Sequence, residues 1–207
     1  GRLVRVDPTT GQVDAYQSPY SETSPYGITL DNKGRIWVAN CCSNHAVYRF
    51  DPATAQWSAA PTLDRPRGIA GSTDGHMYVA NDQANSVAII DADTMANLGQ
   101  IDLGSGRFPV GMAVDFDGYI WAVNQSSSSA TRIDPATGQI MGEYPVGQAP
   151  YTYSDMTGYT LHNFTAPQGH YDVTLSVLDG FGSATAAGDY GVIWTEVDRE
   201  ADTPPGS

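Results

Sequence analysis

The strongest constraint on this chain is a phrase that it spells three times. Pro25-Tyr-Gly-Ile-Thr-Leu-Asp-Asn-Lys-Gly-Arg-Ile-Trp-Val-Ala-Asn40 returns from Pro66 to Asn81 and again from Pro109 to Asn124. A second phrase interleaves with it: Asp7-Pro-Thr-Thr-Gly11, Asp51-Pro-Ala-Thr54, Asp91-Ala-Asp-Thr94 and Asp134-Pro-Ala-Thr-Gly138. Each unit therefore reads strand, Asp/Gly turn, strand ending in Asn, polar loop, strand, Asp-Pro turn, strand. A repeat of roughly 40 to 45 residues with this content is the signature of a four-stranded propeller blade, which cannot bury its apolar faces without neighbours.

The expected fold is all-β, a β-propeller of four-stranded blades forming an incomplete ring with three full blades and partial ones. Residues 1–160 hold the repeats: a half blade at 1–20, blades at about 21–63, 64–104 and 105–147, and a degenerate opening at 148–160, where Pro150-Tyr-Thr-Tyr-Ser-Asp-Met-Thr-Gly158 lacks one residue before its glycine. Closing a ring takes about four to eight blades. The expectation is a larger propeller with blades missing, over a small ring closed by pairing that opening with residues 1–17. Residues 161–200 read as an irregular β-rich extension and 201–207 as a loose tail. In the extension, Tyr171, Val173, Leu175 and Val177 alternate as a half-buried strand would.

Composition fits turns and strands. Aspartate outnumbers glutamate 19 to 4, and Lys33 is the only lysine, so turn formers are abundant and helix formers scarce. A formal charge of −13 with so few basic residues argues against nucleic acid as a partner, because phosphate binding needs concentrated Lys and Arg. No stretch approaches the roughly 20 apolar residues of a membrane span. An aspartate-rich, lysine-poor surface suggests a secreted, periplasmic or cell-surface setting.

Met77-Tyr-Val-Ala-Asn81, Asn85-Ser-Val-Ala-Ile-Ile-Asp91 and Phe108-Pro-Val-Gly111 resemble the surface-protein propeller repeat named for Tyr-Val-Thr-Asn and its NHL-type kin. Ile36-Trp-Val-Ala-Asn40, Ile120-Trp-Ala-Val-Asn124 and Asp134-Pro-Ala-Thr-Gly138 are similar to streptogramin (virginiamycin B) lyase and its relatives. Together these resemblances span roughly residues 3 to 150. The lyase resemblance implies a magnesium-assisted, ring-opening elimination on a cyclic depsipeptide, carried out by His and Glu around a central funnel. This chain departs from that pattern. It has Asn40, Asn81 and Asn124 where those relatives commonly carry Glu at the end of the Trp-containing strand, and amides are not general bases at neutral pH. No cofactor is evident from the residues themselves. Gly169-His-Tyr-Asp-Val-Thr-Leu-Ser-Val-Leu-Asp-Gly-Phe-Gly-Ser183 resembles the closing strands of polycystic-kidney-disease-type immunoglobulin-like domains.

Alternating turns assign the blade loops to two faces. The Asp/Gly and Asp-Pro turns share one, where the repeated aspartates read as structural. The loops before Pro25, Pro66, Pro109 and Pro150 share the other with the loops after Asn40, Asn81 and Asn124, and this face is the expected ligand face. Its candidate ligand-binding residues are Tyr26, Asn40, His45, Arg67, Asn81, Arg107, Asn124 and Tyr151. The arginines suit an anionic group or a carbohydrate and the tyrosines offer stacking surface; solvated surface arginines are the bland alternative. The three asparagines equally suit side-chain bonds that hold the following loop. Trp37, Tyr78 and Trp121 share one strand position and read as core. Asp115-Phe-Asp-Gly118 reads as a turn, without the further acidic ligands that calcium needs.

Cys41 and Cys42 sit in a loop one residue longer than its counterparts. They form a vicinal disulfide, bind a soft metal with His45, or stand as two thiols, and mass measurement before and after reduction separates the disulfide from the rest. With only two cysteines a structural zinc site is poorly supported. Three functional classes remain. The favoured one is an extracytoplasmic module binding a protein, glycan or small molecule. The others are a lyase-like or lactone-hydrolase enzyme whose catalytic residues lie in missing blades, and an architectural repeat of a surface assembly.

Overall fold

A computed structural model of the protein describes residues 1–20, 24–42, 45–62, 64–115 and 117–152. The chain divides at Pro167/Gln168, and the second unit lies outside the described residues, as do the extension 161–200, the tail 201–207 and most of the opening at 148–160.

All regular structure among the described residues is strand, because short Val- and Ile-rich runs are cut every few residues by Gly, Asp or Pro. A two-stranded sheet pairs β1 (Arg2–Val6) with β2 (Val13–Gln17). The first full blade joins β3 (Pro25–Leu30), β4 (Ile36–Asn40), β5 (Ala46–Asp51) and β6 (Gln56–Pro61). The second comprises β7 (Pro66–Gly71), β8 (His76–Asn81), β9 (Ser86–Asp91) and β10 (Asn97–Asp102). β11 (Pro109–Val114), β12 (Ile120–Asn124), β13 (Ser129–Ile133) and β14 (Ile140–Pro145) form the third. Every pairing is antiparallel between consecutive strands, so each blade is an up-and-down sheet.

The first strand of each blade lies innermost, with β7 flanked by β3 and β11. Gly68 permits that approach: a Cβ there would stand 2.8 Å from both Val110 O and Met112 N. Outside this inner ring, side chains of alternate parity fill the spaces between blades. Trp37, Ala39 and Val47 of the first blade pack on Ile69, Met77 and Val79 of the second. Tyr78, Ala80 and Val87 then pack on Met112, Ile120 and Ala122 of the third. Each large apolar side chain buried in this way is worth about 1.5–3 kcal/mol.

Register carries the two faces. Pro25 pairs with Asn40, and Asn40 with Ala46, so the loops before Pro25 and after Asn40 emerge at one end of the blade. The Asp turns emerge at the other, where carboxylates hold the turn backbone. Asp7 Oδ1 accepts from the amides of Thr9 and Thr10, and Asp91 Oδ1 from those of Asp93 and Thr94. Backbone donors such as these hold the Asp7 and Asp91 carboxyls below their ordinary range.

Candidate functional site

Two residues that follow the proline opening an inner strand, and a third that follows Pro150 after the last strand, converge on the expected ligand face. They are Tyr26, Arg67 and Tyr151. Arg67 Nη1 donates to the Tyr151 hydroxyl at 3.2 Å, its guanidinium lies 4.9 Å from the Tyr26 ring centre, and the Tyr26 and Tyr151 hydroxyls bond each other. Inner strands run from this face toward the turn face, so a side chain just after the opening proline of such a strand stands on this face. Tyr26 is half-buried, Arg67 largely buried and Tyr151 exposed.

Arg67 is anchored from behind by Asp82. This carboxylate is fully buried, accepts Nε of Arg67, and takes a two-pronged bond from Arg65 Nε and Nη2 at 2.9 and 2.8 Å. Burial alone would lower the Arg67 pKa, but Asp82 and Tyr26 outweigh it and hold the group above its ordinary value. Phe108 completes the cluster, its ring centre 5.5 Å from the Arg65 guanidinium and 5.6 Å from that of Arg67. The assembly is a rigid plate of guanidinium and aromatic groups, suited to hydrogen-bonding and stacking on a planar or polyhydroxylated ligand.

The other candidates lie apart from this plate. Asn40, Asn81 and Asn124 are fully buried and frame the face from within. Asn40 Oδ1 accepts the Ser24 amide, so it holds the loop leading into its blade. Asn124 Nδ2 donates to Ser129 and Thr131 hydroxyls at 3.2 and 2.8 Å, tying down the next strand. Neither polar atom of the Asn81 side chain has a partner among the described residues. Arg107 is committed to Glu143, with Nη2 2.6 Å from Oε2. His45 is exposed, and its backbone oxygen accepts the Thr62 amide at 2.8 Å. Cys41 and Cys42 are joined by a disulfide, with Cys41 buried and Cys42 exposed at φ 80°.

Sequence reasoning missed Asp82, Phe108 and Glu143. Asp82 directly follows Asn81, where the first blade has Cys41 and the third Gln125. A non-repeating residue beside a repeated one was the available signal. Among the described residues, no three His, Cys, Asp or Glu side chains converge as a metal site would require. With buried amides at the strand ends besides, the described residues do not fit the magnesium ion that the lyase resemblance implies.

Four-stranded up-and-down sheets set around their innermost strands define a β-propeller. The profile of the virginiamycin B lyase family matches residues 1–154, and the chain belongs to that family. Its fold is similar to the crystal structure of virginiamycin B lyase from Staphylococcus aureus, with a TM-score of 0.64 at 20% identity over 72% of this chain and 51% of that one. A streptogramin B lyase structure aligns with a TM-score of 0.62 at 24% identity, covering 71% of this chain and 48% of the other. A gluconolactonase from Xanthomonas campestris aligns with a TM-score of 0.57 at 21% identity, over 72% of this chain and 60% of that one. NHL repeat-containing protein 3 of Homo sapiens is 28% identical over 81 residues, 37% of this chain and 23% of that protein. The chain thus spans about half the length of the lyase structures it matches.

Proposed function

We propose that this chain is the ligand-binding part of an extracytoplasmic propeller, and that its ligand is a glycan or a carboxylate-bearing small molecule seated on the Tyr26–Arg67–Tyr151 cluster. The observation that carries this reading is the convergence of Tyr26, Arg67 and Tyr151, from the starts of β3 and β7 and from the segment after β14, into one bonded cluster anchored on buried Asp82. A cation fixed in orientation and flanked by aromatic rings binds hydroxyl and carboxylate groups with little entropic loss. The test is a panel of neutral oligosaccharides, uronic-acid oligosaccharides and acidic peptides titrated calorimetrically against the protein. Binding should appear with one class and weaken at least about tenfold in Tyr26→Ala and Tyr151→Ala. A panel without binders, or binding indifferent to both substitutions, overturns the proposal.

Family membership favours a second reading, a lyase or lactone hydrolase of propeller type whose catalytic residues lie outside this chain. Its test is loss of a cyclic depsipeptide antibiotic on incubation with magnesium and a protein that carries the further blades as well as this chain. Unchanged substrate there overturns that reading.

A further inference from the structure

Arg65 and Arg67 share a single counter-charge. Both bond the buried Asp82 carboxylate and meet at its Oδ2, while Asp64, next to Arg65 in sequence, is within ion-pair distance of neither. In the other ion pairs of the described residues, carboxylates match or outnumber the cations. Arg107 has Glu143 to itself, Arg132 has Asp115 and Asp117, and Lys33 and Arg35 share Asp31 and Asp93. Two cations on one carboxylate are thus the exception in a chain where Asp and Glu outnumber Lys and Arg 23 to 10. The cluster carries one unbalanced positive charge on the expected ligand face.

The geometry also leaves donors over. Arg65 spends Nε and Nη2 on Asp82, whereas Arg67 spends Nε on Asp82 and Nη1 on the Tyr151 hydroxyl. Arg65 Nη1 and Arg67 Nη2 have no hydrogen-bond partner among the described residues, and neither nitrogen is buried, so both are open to solvent. The remaining bonds hold each guanidinium in place, and the Phe108 ring centre lies within 5.6 Å of both. Two like charges held this close repel, and a bound anion relieves that repulsion.

We propose that Arg65 and Arg67 form an acid-recognition subsite that takes the carboxylate of an acidic sugar, which makes the ligand a uronic-acid glycan and not a neutral one. The inference rests on the ligand-binding reading above and names its ligand class. One negative charge balances the cluster, whereas a dianion such as a phosphate monoester would reverse its sign. A carboxylate offers two oxygens, one for each spare donor, and charge-assisted bonds of this kind are roughly twice as strong as neutral ones. Arginine suits the task because its planar fork stays charged and is held by its other bonds. Tyr26, with its ring centre 4.9 Å from the Arg67 guanidinium, supplies an apolar face for the sugar ring that bears the acid.

The test is calorimetric titration with trisaccharides of galacturonic, glucuronic and mannuronic acid, each beside its methyl ester, which keeps the shape and removes the charge. At least one acid should bind, and its ester at least about tenfold more weakly. Arg65→Met should cut the advantage of acid over ester by a similar factor. That variant is expected to fold because Asp82 keeps Arg67, and near-ultraviolet circular dichroism checks that it does. Lys33→Gln, which removes an exposed cation on the turn face, should leave the advantage unchanged. The acid-to-ester comparison uses the unaltered chain, so it tests the proposal whether or not Arg65→Met folds. Acid and ester bound equally, and both lost in Tyr26→Ala, would overturn this inference and leave the ligand-binding reading standing. Neutral oligosaccharides or acidic peptides bound in preference to every acid sugar would overturn it as well. No binding by acids, esters, neutral sugars or peptides would overturn both.

Discussion

Trp121 Nε1 donates to Asp115 Oδ2 at 2.8 Å, so the turn face of the third blade is bolted to its second strand. The other carboxylate oxygen accepts the amides of Asp117 and Tyr119, both within 3.0 Å. Asp31 serves Trp37, Lys33 and Arg35 in the same way in the first blade. Asp115→Ala leaves one indole N–H and two backbone donors without these partners. It should cost about 2 kcal/mol, read as a lowered urea midpoint with an unchanged slope. A loss below about 0.5 kcal/mol would show that solvent replaces these bonds.

Stability should fall in acid. Hydrogen bonds from Lys33 and Arg35 hold Asp93 below the ordinary 3.8. For Asp74 and Asp115, burial works to raise the pKa, but donors from His76 and Trp121 respectively prevail and lower it. Since each folded pKa lies below the unfolded one, their contribution is complete above about pH 5 and is lost as pH falls through 3.8 and below. Protonation also relieves repulsion within a chain of net charge −13, an effect of opposite sign that salt removes. Urea midpoints at high salt should therefore drop from about pH 5 to about pH 3, and Asp115→Asn should shallow that slope. An acid-independent midpoint would contradict it.

Blade order, strand limits and the two faces were legible because Pro, Gly and Asn recur at fixed offsets, and each fixes backbone. The Asp-to-aromatic bond was less so, because its geometry varies. In the second blade Ser72 stands where the others have Asp31 and Asp115, and Tyr78 reaches Asp74 instead, at 3.0 Å. The site was only half legible. Tyr26, Arg67 and Tyr151 announce themselves by following prolines. Their anchor Asp82 occurs in one blade only, so periodicity carries no trace of it. Asn81 gives the converse lesson, since identical residues at repeated positions make different bonds when the adjoining loop differs.

Asp82→Ala tests whether the Arg65–Arg67 cluster is built on one carboxylate. The substitution leaves Arg65 and Arg67, 25% and 14% exposed, without their shared counter-charge. Removing one partner of a buried pair costs roughly 3–5 kcal/mol, and partial exposure of both arginines places the expectation near the lower bound, about 3 kcal/mol. The midpoint in urea measures it. Arg65→Met should cost less, because Asp82 keeps Arg67. If the two variants lose equal stability, the carboxylate is not the anchor argued for it.

The Asp turns offer a stabilising change. Their fifth position is left-handed in all four: Gly11 at φ 72°, Ala55 at 55°, Met95 at 62° and Gly138 at 69°. A non-glycine residue there costs roughly 1–2 kcal/mol, against which glycine gives back about 0.5–1 kcal/mol of unfolded-state entropy. Ala55 is exposed and lies outside the buried apolar clusters, unlike Met95, which packs against the core between the first two blades. Ala55→Gly should therefore raise stability by about 0.5–1 kcal/mol, and Gly138→Ala should lower it by a similar amount. Both are read from urea midpoints. A loss of stability in Ala55→Gly would mean that the turn tolerates its alanine without strain.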